Sequence, residues 1–131
     1  MSMATLELQK AIRDALKADP ALLLLLDGTS IFDDVPPGTP FPYVTFGRSA
    51  VYDWSTDTES GREHLVTVHV WSRIGGKKET LAIMEAVERV LSTASLAMPG
   101  NRLVNLALQY EEARYEEQND GYHGILRYRA V

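Results

Sequence analysis

The sequence predicts an α+β fold: a mainly antiparallel sheet with two main helices packed on one face and a long loop or arm between strands. Three observations carry that expectation. Apolar residues recur with helical period in two separate stretches, one near the N-terminus and one in the second half of the chain. They alternate with period two in other stretches, as strand side chains do when successive residues point to opposite faces. A tight-turn signal then joins two such stretches into a C-terminal hairpin, so the chain order is helix, strands, helix, hairpin. With 131 residues and no internal repeat, residues 1–131 read as a single domain with one core.

Leu8, Ile12, Ala15 and Leu16 form the apolar stripe of a first helix over residues 4–18, with Glu7, Lys10, Arg13, Asp14 and Lys17 mostly elsewhere on its circumference. Asp19 and Pro20 read as an N-cap and a first-turn proline, opening a short helical segment that runs to Leu26 and is ended by Asp27 and Gly28. Ile31 and Phe32 suit a short strand. Pro36, Pro37, Gly38, Pro40 and Pro42 then hold a stiff loop, because proline lacks the N–H that helix interiors and central strands require. Tyr43 to Phe46 have strand composition and Gly47 closes that run, so residues 48–61, rich in Ser, Thr, Asp and Gly, read as a flexible arm bearing Val51, Tyr52 and Trp54.

From Glu63 to Arg73, Val66, Val68 and Val70 share one face of a strand while Leu65, Thr67, His69 and Trp71 share the other, which is unusually apolar. Gly75 and Gly76 turn the chain into a helix over residues 78–95, carried by Ile83, Met84, Val87, Val90 and Leu91. Pro99, Gly100 and Asn101 lead into a strand from Arg102 to Tyr115, with Val104, Leu106, Leu108 and Tyr110 on its core face. Asn119, Asp120 and Gly121 turn it back into a last strand, where Leu126, Tyr128 and Ala130 oppose Ile125, Arg127 and Arg129.

Composition excludes several classes of function. The chain has no cysteine, which removes disulfides, thiol catalysis and thiolate zinc sites. A formal net charge of −5 argues against a surface built to coat nucleic acid. Ala21 to Leu26, the longest apolar run, is too short to cross a bilayer, and the chain reads as soluble and unsecreted. His64 and His69 lie an odd number of positions apart, hence on opposite sides of their strand, and cannot share one metal ion. His123, beside the last turn, is in reach of either. Gly75, Gly76, Lys77 and Lys78 lack the full phosphate-loop spacing and read as a turn with solvated lysines. The carboxylates Glu111, Glu112, Glu116, Glu117 and Asp120 read as a solvated face or one half of a charge match between subunits, since acid–base work needs burial that splits their pKa values. No catalytic residue, cofactor site or metal site is predicted. The unabsorbed features are candidates for contact with other subunits or another protein: Tyr52, Asp53 and Trp54 on the arm, Leu65 and Trp71 on the second strand face, and Glu116, Glu117 and Asp120 at the hairpin tip. Arg62, Arg114, Arg127 and Arg129 are their candidate charge partners.

A family resemblance rests on Ile31-Phe32-Asp33, Pro42-Tyr43-Val44, Gly61, Glu63 and the run Val66-Thr67-Val68-His69-Val70-Trp71-Ser72. It continues through Gly76 at the opening of the helix, Leu103-Val104, and Asp120-Gly121-Tyr122-His123-Gly124 before Leu126 and Arg129. With these residues the chain resembles the tail completion, or tail terminator, family of long-tailed phages and gene transfer agents. The resemblance implies a non-enzymatic virion protein at the neck end of the tail, present in the host cytoplasm during assembly. It implies a homo-hexameric ring that stops growth of the tail tube and joins it to head–tail connector proteins, with DNA passing through without sequence-specific binding and no membrane involved. Ring subunits need two different sticky flanks on one body, which the unabsorbed features supply. Two other readings have their own discriminators. A small hydrolase or nuclease requires His64, His69 or His123 to converge with carboxylates in a concave pocket, and a ligand-binding domain requires an enclosed apolar cavity.

Overall fold

The structure, a computed structural model, describes residues 3–26, 28, 30–53, 62–73, 77–93 and 106–130. Helix α1 (Met3–Lys17) and helix α2 (Pro20–Leu26) are followed by β1 (Ile31–Phe32), β2 (Tyr43–Asp53), β3 (Arg62–Ser72), α3 (Lys77–Thr93), β4 (Leu106–Glu116) and β5 (Gly121–Ala130). The five strands lie in the order β1-β2-β3-β5-β4. Only the β1–β2 pair is parallel, and β2–β3, β3–β5 and β4–β5 are antiparallel. The fold is α+β, as the residue pattern requires.

One core lies between the helices and one face of the sheet. Leu8, Ile12 and Leu16 of α1, Leu22 and Leu26 of α2, and Ile83, Val87 and Leu91 of α3 meet Val44, Phe46, Val66, Val68, Val70, Leu126 and Tyr128 from the strands. Each strand residue in that set is on the face its alternation assigns. Burying one such aliphatic side chain contributes about 1.5–3 kcal/mol. Tyr128 brings a hydroxyl into this layer and donates it to Glu88 Oε2 at 2.7 Å, which answers the cost of burying a phenol oxygen.

The bend between α1 and α2 is capped as the sequence implies. The Asp19 carboxylate accepts from the Leu22 backbone N–H at 3.0 Å, and Arg89 of α3 donates to the same carboxylate at 2.7 Å. These bonds, the one to Arg89 first, hold the Asp19 carboxyl below its usual range. Asp19→Ala is expected to cost about 1 kcal/mol at neutral pH, because a helix cap is lost. The contribution is present above the ordinary carboxylate range and disappears as pH falls through the lowered value, so the wild-type and variant urea midpoints converge in strong acid.

Three sequence expectations change. Gly47 does not close its strand: β2 runs to Asp53, and residues 49–53 are paired with β3 through Ser49–Val66, Ala50–Leu65, Val51–His64, Tyr52–Glu63 and Asp53–Arg62. A bulge makes this possible. Between Phe46–Val68 and Ser49–Val66 the two residues Gly47 and Arg48 oppose Thr67 alone, which resets the register so that a polar, small-residue stretch continues the ladder. The rest of the expected arm, residues 54–61 with Trp54, lies outside the described residues, as do Gly75, Gly76 and residues 94–105. Tyr110, assigned to a core face, is instead 42% exposed. A second bulge, at Gln109 between Leu108–Tyr128 and Tyr110–Arg127, reverses the alternation beyond Leu108. The hairpin turn is one 3₁₀ turn, Glu117–Asn119, closed by Asp120 in the left-handed region at φ 47°, a conformation that Asp tolerates better than most residues.

Candidate functional site

The face of the sheet turned away from the helices collects the polar and aromatic residues that the core does not use. Register puts Trp71 of β3 opposite His123 of β5 and Tyr43 of β2, and His69 opposite Ile125 and Thr45. Thr67, Arg127 and Arg129 continue the same face, as side chains two apart on a strand must. Beyond the Gln109 bulge, β4 adds Tyr110, Glu112 and Arg114 opposite Arg127, Ile125 and His123.

A hydrogen-bonded chain crosses three strands at the centre of this face. His69 Nδ1 lies 2.6 Å from His123 Nε2, and His123 Nδ1 lies 2.7 Å from Glu116 Oε1. An ionised Glu116 only accepts, so His123 Nδ1 carries a proton, and with the His123 ring neutral its Nε2 accepts from His69 Nδ1. One tautomer of each ring follows, with His69 Nε2 left unprotonated. The Trp71 indole stacks on the His123 ring at 3.9 Å between centroids and 8° between planes, and its Nε1–H donates to Thr45 Oγ1 at 3.1 Å. Burial, with the neighbouring His123 and Arg127, pushes His69 down to about 4, against the opposing pull of Glu116.

Ion pairs tie the flanks of this face. Arg114 donates to Glu116 at 3.1 Å and to Glu112 at 3.5 Å. Arg129 Nε meets Glu63 at 2.9 Å, and the Arg127 guanidinium lies 5.2 Å from the centre of the Tyr110 ring. Tyr110 donates to Glu112, and Tyr115 donates to Asp120 at 3.0 Å. Arg114, Glu116, Glu117 and Gln118 line an open depression at this end of the sheet.

The sequence candidates therefore divide. Leu65, Trp71, Arg127 and Arg129 share the helix-free face, with Trp71 held by its own domain through His123 and Thr45. Arg114 and Glu116 join each other, while Glu117 and Asp120 are exposed at the turn. Tyr52, Asp53 and Arg62 sit at the far end of the β2–β3 ladder, where Asp53 and Arg62 are opposite each other in the backbone register. His64 is on the helix side, opposite Ala130, and the sheet separates it from the other two histidines. His69 and His123 interlock with each other and with Glu116. Among the described residues, no group of three or more His, Asp or Glu side chains is placed to hold a metal ion. The Glu116–His123–His69 chain escaped the sequence reading because His69 and His123 meet only through the β3–β5 register, which the hairpin turn between β4 and β5 does not set.

A family model described as tail completion protein gp17 matches residues 10–131. Among solved structures, a chain from the virion of a native gene transfer agent particle is 33% identical with a TM-score of 0.89, the match covering 99% of this chain and 97% of that one. The gp17 protein of bacteriophage SPP1 superposes with a TM-score of 0.69 at 23% identity, covering 99% and 91% of the two chains, and shares the fold. No curated protein matches the sequence at a significant level.

Proposed function

The chain belongs to the tail completion protein gp17 family, and from that premise we propose that it is a structural tail terminator of a phage-like particle, capping the tail tube and joining it to the head. The observation that carries this reading is the 33% identity, over 99% of the chain, to a component of a gene transfer agent virion. It supports a place in the virion, and the position proposed there is the neck end of the tail. The assembled form is a homo-hexameric ring in contact with tail-tube protein on one side and head–tail connector proteins on the other. DNA passes through its centre without sequence-specific contacts. The role is non-enzymatic: the interlocked histidines position strands instead of presenting a reactive group. A net charge of −5 suits a channel that must release DNA, since like charge disfavours adhesion to phosphate.

Particles produced without this chain are expected to carry tails of uncontrolled length that fail to join heads, as seen by electron microscopy, and supplying the protein in trans restores both. Normal tail length and head joining in its absence would overturn the assignment.

A further inference from the structure

The two flanks of the sheet differ in charge. At one edge β4 pairs with β5 alone among the described residues, and residues 110–120 hold the carboxylates Glu111, Glu112, Glu116, Glu117 and Asp120 against the single cation Arg114. Arg114 is already engaged by Glu112 and Glu116, which leaves Glu111, Glu117 and Asp120 exposed beside Tyr110 and Tyr115, themselves 42% and 48% exposed. At the opposite flank α1 lies over β1 and β2. Leu6, Lys10, Arg13 and Lys17 fall at i, i+4, i+7 and i+11 of α1, one stripe turned away from the buried Leu8, Ile12 and Leu16. Leu6 is 60% exposed, Lys10 and Lys17 are exposed, and Arg13 has only a surface contact with Asp14 at 3.9 Å.

An aromatic, acidic strand edge on one side and an apolar-tipped basic stripe on the other form a complementary pair that one molecule cannot close on itself, because the width of the sheet lies between them. Two copies can. Their lengths agree: Leu6 to Lys17 spans about 16 Å of helix, and Glu111 to Glu116 about 17 Å of strand. We propose that successive copies in the ring meet head to tail, with the β4 edge and its 3₁₀ turn from one copy seated along the outer stripe of α1 of the next. This contact is heterologous, the kind that generates a closed ring when its rotation closes. It rests on the terminator reading and adds to it the surfaces that form the ring. With Lys17 set against Glu117, Leu6 at the other end of the stripe falls against Tyr110 and supplies the apolar contact, and the charges set register and reject a β4–β4 encounter.

The test is charge reversal in the full-length protein with tail capping and head joining as the readout. Lys10→Glu with Lys17→Glu, and separately Glu111→Lys with Glu117→Lys, are each expected to lower the fraction of capped tails by about tenfold, more at low salt than at high. Combining all four substitutions in one chain restores capping. Because the chain has no cysteine of its own, a Lys17→Cys, Glu117→Cys variant carries the only thiols. Under oxidation, capped tails of this variant are expected to yield a ladder of linked copies. Matching thermal melts of the variants establish that they fold. Capped tails from both reversed proteins, a folded four-fold variant that fails to restore capping, or capped tails without links would each overturn the proposed contact while leaving the terminator role intact. A wild-type chain that never joins a tail would overturn both.

Discussion

Gly47→Ala is expected to lower folding stability by about 3 kcal/mol, although it adds one methyl group. A Cβ at position 47 would stand 2.0 Å from Nε2 and 2.5 Å from Cδ2 of His69. The imidazole has little room to retreat. Its Nδ1 is bonded to His123 at 2.6 Å, and the His123 ring, packed against Trp71, is 4.8 Å away between centroids. Swinging His69 out to solvent relieves the clash but removes the donor from a buried His123, and overpacking and an orphaned buried acceptor each cost about 1–3 kcal/mol. Gly124→Ala makes the informative contrast. Its Cβ would meet Met84 Sδ at 2.5 Å, but a thioether end swings aside, so a cost of about 1–2 kcal/mol is expected there. In urea unfolding, combining Gly47→Ala with His69→Ala should cost much less than the sum of the two, because the clash and its partner vanish together. A Gly47→Ala protein within about 0.5 kcal/mol of wild type would show that the strand relaxes at the bulge instead.

That bulge also marks where sequence reasoning stopped. The two long helices were legible because their apolar residues keep a 3.6 period over more than two turns, and Asp19 before Pro20 announced the cap seen at Leu22 N–H. Val66, Val68 and Val70, and Leu126 and Tyr128, showed their buried faces in the same direct way. An inserted residue leaves no such mark. At Gly47–Arg48 it made a continuing strand read as an arm, and at Gln109 it moved Tyr110 from the core to the surface. In Gly47 to Asp53 the apolar Ala50, Val51 and Tyr52 are adjacent and do not alternate, so the ladder there is specified by the partner strand and not by its own pattern. The candidate surfaces were legible as residues but not as positions. Lys10, Arg13 and Lys17 stood out from the apolar stripe at once, yet that α1 overlies the sheet flank opposite the acidic strand follows only from the strand order β1-β2-β3-β5-β4.

The same topology explains why the hydrogen-bonded histidine chain belongs to the scaffold. Glu116, His123 and His69 come from β4, β5 and β3, three consecutive neighbours in the sheet, so their hydrogen bonds fasten the outer edge to its centre. Glu117 and Asp120, which remain exposed, follow directly on the end of that fastened strand. A rigid base thus carries the charges that the proposed contact uses, and less ordering entropy has to be lost when copies associate.

His123→Ala is accordingly expected to cost about 3 kcal/mol, through the lost ring packing on Trp71 and the stranded donor on His69. The remainder of the effect appears in acid. Unfolded His69 takes up a proton at the ordinary value of 6.5, whereas in the folded chain it does so only near 4, chiefly because of burial. Above 6.5 neither state is protonated and the residue contributes nothing to the pH dependence. Between these values the unfolded state binds more protons, so stability falls as pH is lowered from 6.5 toward 4 and the loss levels off once the folded form is protonated too. Solvent reaches part of the ring and screens the effect, which limits the loss to about 1–2 kcal/mol. Urea midpoints measured from pH 7.5 down to 4 should therefore fall more steeply for the wild type than for His69→Gln, whose side chain keeps a donor toward His123 but cannot titrate. Parallel slopes for the two proteins would mean that His69 exchanges protons as freely folded as unfolded, and the buried chain from Glu116 through His123 would then have to be open in solution.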